Sequence, residues 1–335
     1  MEELPDFSGE NNMVGIEPEE TPKGSFRKIF RNRFGHLRAG WRIFLCIIIS
    51  ALVIAVIFFP LTLIYSDQLE NVDPQSSLNI IITAFIAFLL IFAVFVILKW
   101  IDKRPFGTLG VNFHKGWFEE FFLGLLIGFA LLALSFVVMF ALGFLDVSIN
   151  SFSLGLLAGL FKYLLLYLFA GAMEELITRG YMFQALIEGT NKIIATIIFS
   201  FIFSILHFFN PSYSIISAVN IFLAGVLLSV VYIKTRSLWM PIGLHMAWNW
   251  TQGSLFGVNV SGIEVDQSIF TSLPQGNELF SGGEFGIEGS VISILVLTLF
   301  IIWLIRSRRI RPAEENLYLW TKYPEGFGKE PKSLL

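Results

Sequence analysis

Charge is what this sequence has least of. Asp, Glu, Lys and Arg make up 15% of its 335 residues, against about 25% in a soluble domain. There is one cysteine, Cys46, inside an apolar run. It excludes an internal disulfide and any metal cluster built on cysteine, and it reads as a small buried hydrophobe. No stretch alternates apolar and polar residues in the manner of a membrane β-barrel strand, because the apolar runs are continuous. The internal repeats common in transporters are also missing. A cleavable leader is not expected. The chain opens on a polar, acidic stretch (Glu2, Glu3, Asp6, Glu10), and its first apolar run begins near Trp41, too late and too long for a signal segment. Residues 1–25 read as a disordered tail. The net charge of −3 says little by itself, and no nucleic-acid partner is expected.

What the chain does have is apolar length. Hydrophobic residues make up 55% of it, and 36 are Phe; mean hydropathy is +0.71. A helix needs about 20 apolar residues to cross the hydrocarbon core. Eight segments answer to that: 41–65, 78–98, 118–145, 153–178, 193–209, 214–233, 239–257 and 289–305, the fifth and seventh being the shortest. The basic residues then set the orientation. They cluster from Lys23 to Arg42, then at Lys99, Lys103, Arg104 and Lys115, at Arg179 and Lys192, at Lys234 and Arg236, and from Arg306 to Lys332. The alternate loops carry Asp67, Glu70, Asp73, Asp146, Glu264, Asp266, Glu278, Glu284 and Glu288 instead. This segregation predicts an even number of spans with both termini cytoplasmic. Lys162, near the outer end of the fourth span, is the exception, and its long stem allows it to snorkel outward. The expected fold is all-α, a polytopic transmembrane bundle of about eight spans, multi-pass in the plasma (inner) membrane with lipid around it. The loop 258–288, rich in Gly and Ser and acidic, reads as a flexible non-cytoplasmic loop, a plain linker before a cap over a substrate path. Gly124–Gly128 and Gly155–Gly159 suit close helix packing.

Ionisable groups within such spans are costly and mark functional sites. Glu174 and Glu175 are adjacent, so on a helix they point about 100° apart. Arg179 lies four residues after Glu175, on its face, where an ion pair forms naturally. Glu174 is left aimed elsewhere. His207 ends the fifth span, and His245 and Asn249 share a face of the seventh. If spans four and five form an antiparallel hairpin turning in Glu188–Lys192, Glu174 and His207 lie at one depth. His245, about one turn after Pro241, should then sit nearer the cytosol, unless segment 180–192 projects beyond the membrane.

A carboxylate moved into apolar surroundings gains basicity. It could take a proton from water for attack on a peptide carbonyl. Two arrangements are open. In one, Glu174 is the base, His245 and Asn249 donate to the oxyanion and His207 holds the water or a proton, without metal. In the other, His207, His245 and Glu174 ligate Zn2+, since catalytic zinc commonly has three protein ligands and a water; no HExxH is present. The same buried Glu and His could instead serve a proton- or ion-coupled transporter, or a bacteriocin-immunity protein without proteolysis.

The pattern Glu174-Glu175-x3-Arg179, Phe203-x3-His207, His245-x3-Asn249 resembles the CAAX protease and bacteriocin-processing family, over roughly residues 155–255. The family includes the type II CAAX prenyl endopeptidase and lysostaphin-resistance protein A-like proteins. The resemblance implies an eight-helix fold whose cavity opens to membrane and cytosol. It also implies an endopeptidase that cuts a membrane-associated protein or peptide near the cytosolic face. Glu174 would activate water, His207, His245 and Asn249 would complete the site, and Glu175 and Arg179 would support it. The chain then divides into a cytoplasmic tail 1–40, helices one to three over 41–152, a catalytic core 153–257, the loop 258–288, a last span 289–305 and a tail 306–335.

Overall fold

The computed structural model describes residues 29–31, 37–70 and 77–316. Most of the two tails, and Asp73, lie outside the described residues. Each of the eight apolar segments is helical. The helices are α1 (Ala39–Glu70), α2 (Ser77–Ile97), α3 (Trp117–Ala141), α4 (Leu154–Glu175), α5 (Gln184–Gly189), α6 (Lys192–Leu206), α7 (Ile215–Thr235), α8 (Trp239–Trp250), the short α9 (Glu278–Ser281) and α10 (Val291–Arg306). Five helical segments are long and apolar enough to cross a membrane, and α6 and α10 are shorter apolar helices. Side chains such as Val56, Leu63 and Phe88 stand exposed on the outside of the bundle, as a lipid solvent permits. The protein is an all-α integral membrane protein.

The fourth span does not stop where its apolar run suggested. A π-helical stretch, Leu176–Phe183, joins α4 to α5, so the helical segment runs unbroken over Leu154–Gly189, 36 residues. At about 1.5 Å per residue that is some 54 Å, well beyond a core of about 30 Å. The turn comes at Thr190, and Asn191 caps α6 by accepting from the Ile194 N–H. The projecting end is fixed by ions. Arg42 pairs with Asp102 at 2.7 Å and with Glu188 at 2.5 Å, and Arg104 meets Glu188 at 3.2 Å. Arg42 is 2% exposed. The arginines read as topology markers are thus also buried cross-braces between α1, the end of α2 and α5.

The helix pair that positions the site is α3 with α8. Gly124 and Gly128 put bare backbone against Met240 and Leu244, and Gly243 returns the contact against Phe121; a Cβ at any of the three would strike a carbonyl oxygen. The small-residue reading holds here. It does not hold for Gly155, which faces only Ser153, while Gly159 makes room for Gln267 rather than for a helix.

The segment 258–288 departs from the expected flexible linker. It folds back on the bundle. Its strand β2 (Phe270–Pro274) pairs antiparallel with β1 (Leu145–Ile149) in the preceding outer connection. Asp266 receives the Tyr163 hydroxyl at 2.7 Å and lies 3.5 Å from Lys162 Nζ. Lys162 therefore does reach toward the acidic end, to a specific partner. Glu288 is buried and accepts from Trp248 Nε1 (2.9 Å), from Ser261 N–H (2.8 Å) and Oγ (2.7 Å), and from Gln252 Nε2 (3.4 Å). A buried carboxylate is costly without such donors; here Trp248 and Gln252 fasten the cap to α8 and the π turn that follows it, and Ser261 donates twice from within the cap.

Candidate active site

Glu174 and Glu175 lie at the end of α4, where the helix loosens into its π stretch. Widened turns of this kind are frequent at functional sites. Glu175 is fully buried and accepts from Arg179 at 2.9 Å, the i,i+4 pair read from the spacing. Thr178 contributes twice: its hydroxyl donates to the Glu174 carbonyl and accepts from Arg179 at 3.1 Å. Arg179 stacks its guanidinium 4.5 Å from the centre of the Phe203 ring.

His245 reaches this pair from α8. Its Nδ1 is 3.1 Å from Glu175 Oε1, and its Nε2 is 4.0 Å from Glu174 Oε2. A carboxylate oxygen accepts, so Nδ1 carries a hydrogen, and the ring is held with Nε2 toward Glu174. That answers the question of depth. With the helical segment running on to Gly189, His245 stands beside Glu174 rather than below it. On α6, His207 Nδ1 donates to the Phe203 carbonyl at 2.8 Å, which leaves the Nε2 lone pair of a neutral ring as the acceptor. Phe203 separates the imidazoles, its ring 4.9 Å from His207 and 6.1 Å from His245.

Glu174, His207, His245 and Asn249 all line one cavity of about 320 Å³. Glu174 keeps 36% of its side chain exposed while Glu175 keeps none. One carboxylate is thus open to a reactant and the other is built in. Glu175 and Arg179 do not line the cavity; they hold His245 from behind. No direct bond joins His207 or Asn249 to Glu174, and the cavity is what they share.

The donor set does not fit a three-ligand zinc site. Among the described residues no three His, Cys, Asp or Glu side chains converge for a metal ion, and both His245 nitrogens already face carboxylates. No step below runs through a metal.

Residues 155–251 match the family of type II CAAX prenyl endopeptidase Rce1-like proteins. The chain carries an Rce1-like domain. The match covers the segment that carries the candidate site and is similar to a family of CAAX prenyl endopeptidases. The Rce1-like domain contains Glu174, Glu175, Arg179, His207, His245 and Asn249, and leaves the cap and α10 outside. No curated protein and no solved structure matches the chain.

Sequence reasoning passed over four residues around the domain's cavity. Tyr163, Tyr167 and Trp248 line it from α4 and α8, and Glu288 lines it from the cap. Glu288 carries a signal in the sequence, an acid next to an apolar span.

Proposed function

We propose that this protein is an intramembrane endopeptidase of the CAAX type in which Glu174 activates water. The observation that carries the reading is His245 held between two glutamates of opposite character, one sealed and one open, in a cavity that His207 and Asn249 also line.

The chemistry follows from which atoms are free. The exposed Glu174 carboxylate removes a proton from water, and the oxygen attacks the peptide carbonyl carbon. Charge develops on the carbonyl oxygen, and donors fixed in advance stabilise it at little reorganisation cost. Asn249 Nδ2 and His245, one turn apart on α8, are placed to supply them. His207 Nε2 accepts from the water and orients it. Collapse of the tetrahedral adduct breaks the C–N bond, and the proton taken by Glu174 passes to the leaving amine. Glu175 accepts from His245 Nδ1 and fixes the ring's orientation; donation to the oxyanion uses the Nε2 hydrogen of the imidazolium form, and Arg179 balances the buried charge of Glu175.

The topology belongs to the same proposal. The bundle crosses the membrane eight times, with both termini and the Arg42–Asp102–Glu188 cluster on the cytosolic side and the cap on the other. Trp41, Trp100, Trp117, Trp239 and Trp303 all fall at the basic ends of their helices, as an interfacial aromatic belt would.

Purified protein and Glu174→Ala, each incubated in detergent with a labelled membrane-peptide library, test the activity. Wild type is expected to cleave, and the variant to be slower by about three orders of magnitude or more, the scale of losing a principal catalytic group. Equal cleavage by both removes Glu174 from the mechanism.

A further inference from the structure

The candidate cavity does not end at the cap. Its wall on that side is Glu264 and Val265, and the same two residues form the inner wall of a second, larger hollow of about 570 Å³. The two hollows differ in chemistry. The first runs from Glu174 inward between α6, α7, α8 and α10, past Phe203, Ile221, Ala224, Leu228, Leu244 and Leu297. Its walls there are mainly apolar, with the hydrogen-bonded Glu288 carboxylate set among them. The second lies between the start of α4 and the folded cap, and is walled by amides and hydroxyls, among them Ser151, Asn259, Gln267 and Thr271. Glu264 stands exposed where the two meet. The chamber that holds the reacting groups thus adjoins a hydrogen-bonding groove, with Glu264 and Val265 as the shared wall.

We infer that the substrate is a peptide cut at a junction between an apolar and a polar segment, the apolar part seated in the α6–α7–α8–α10 chamber and the polar part extended past Glu264–Val265 along the groove. The inference rests on the peptidase reading above and names the substrate class for that site. An apolar segment leaves lipid for the chamber at little cost. An extended polar segment brings unpaired backbone N–H and C=O groups, which must be satisfied once out of water, and the groove offers donors and acceptors along its length. Neither hollow alone does both. The cap, anchored through Glu288 and Asp266, keeps the groove in register with Glu174.

The test uses labelling of a folded protein. The only native cysteine, Cys46, is fully buried, so Ser151→Cys offers one accessible thiol on the groove wall, away from the chamber. Cleavage is measured before and after a bulky thiol reagent is attached. Two peptides are compared, each made in both chain directions. One carries an apolar half running into a long polar half. The other is cut back just past the junction, so that it ends short of Ser151. The ratio of the long-peptide rate to the short-peptide rate is expected to fall about tenfold on labelling, the equivalent of one or two lost hydrogen bonds. An unchanged ratio overturns the inference while leaving the peptidase reading in place. Cleavage of neither peptide by unlabelled wild type overturns the peptidase reading, and the inference with it.

Discussion

Glu175 is the residue on which the site's geometry turns, because it is shared. Its Oε1 accepts from both Arg179 and His245, at 2.9 and 3.1 Å. Removing one partner of a buried ion pair costs on the order of 3–5 kcal/mol, because the other charge stays behind unpaired. Glu175→Ala is expected to lower the melting temperature clearly and to abolish cleavage. The pair Glu175→Ala with Arg179→Ala should cost less than the two separate losses added together, as a melting-temperature cycle will show. Glu174→Gln, on the exposed carboxylate, should remove activity with little change in melting temperature. The two adjacent glutamates are therefore separable by experiment, Glu175 by its effect on melting temperature and Glu174 by its effect on cleavage alone.

The motif residues were legible in the sequence because helical spacing is strict. Glu175–Arg179 and His245–Asn249 are both i,i+4, and both behave so. What spacing could not give was the second partner of Glu175. That partner comes from a helix 70 residues away, and no local period encodes it. Glu288 was missed for the same reason: its donors, Trp248, Gln252 and Ser261, lie on α8, the following turn and an irregular loop. Glu288→Ala would strand the Trp248 and Ser261 N–H groups. At about 1–3 kcal/mol for each buried group left unpaired, thermal unfolding in detergent should show a loss of several degrees.

Among the elements, α3 and α8 matter most. Gly124 and Gly128 allow the backbones to touch, and α8 holds His245 and Asn249 at the level where it meets α3. Gly128→Val adds volume against the Leu244 carbonyl, and overpacking of this kind costs about 1–3 kcal/mol. Activity is expected to fall further than stability, since about 1 Å of misplacement at a reacting group can cost about 100-fold in rate. Measuring kcat beside melting temperature separates the two effects. The extents of the helices were legible from apolar runs, with one failure. The fourth apolar run reads as 153–178, yet the helical segment continues to Gly189. Glu175 and Arg179 are paired with each other inside the bundle there, and Glu174 opens on the cavity.

At the scale of the whole molecule, the charge asymmetry of the loops distinguishes two ends of the bundle, and each has its own fastening. The basic end is braced by Arg42, Asp102, Arg104 and Glu188, and the acidic end is closed by the cap. The cap was the least legible part. Gly and Ser content suggests flexibility when counted, yet Gly257, Gly262 and Gly286 each have positive φ and lie against a carbonyl oxygen where a side chain would collide. In this segment glycine serves tight folding. A tag at residue 275 should be reached only from the non-cytosolic side, and one at residue 190 only from the cytosol. Finding 275 on the cytosolic side would overturn the eight-span arrangement.

The central claim is that a glutamate, and not a metal, activates the water. The most direct measurement is the steady-state cleavage rate of one labelled peptide by wild type and by Glu174→Gln, each with and without a strong chelator. The account predicts that wild type keeps its rate in chelator and that Glu174→Gln is inactive in both conditions. Loss of wild-type activity in chelator, restored by added zinc, would contradict it.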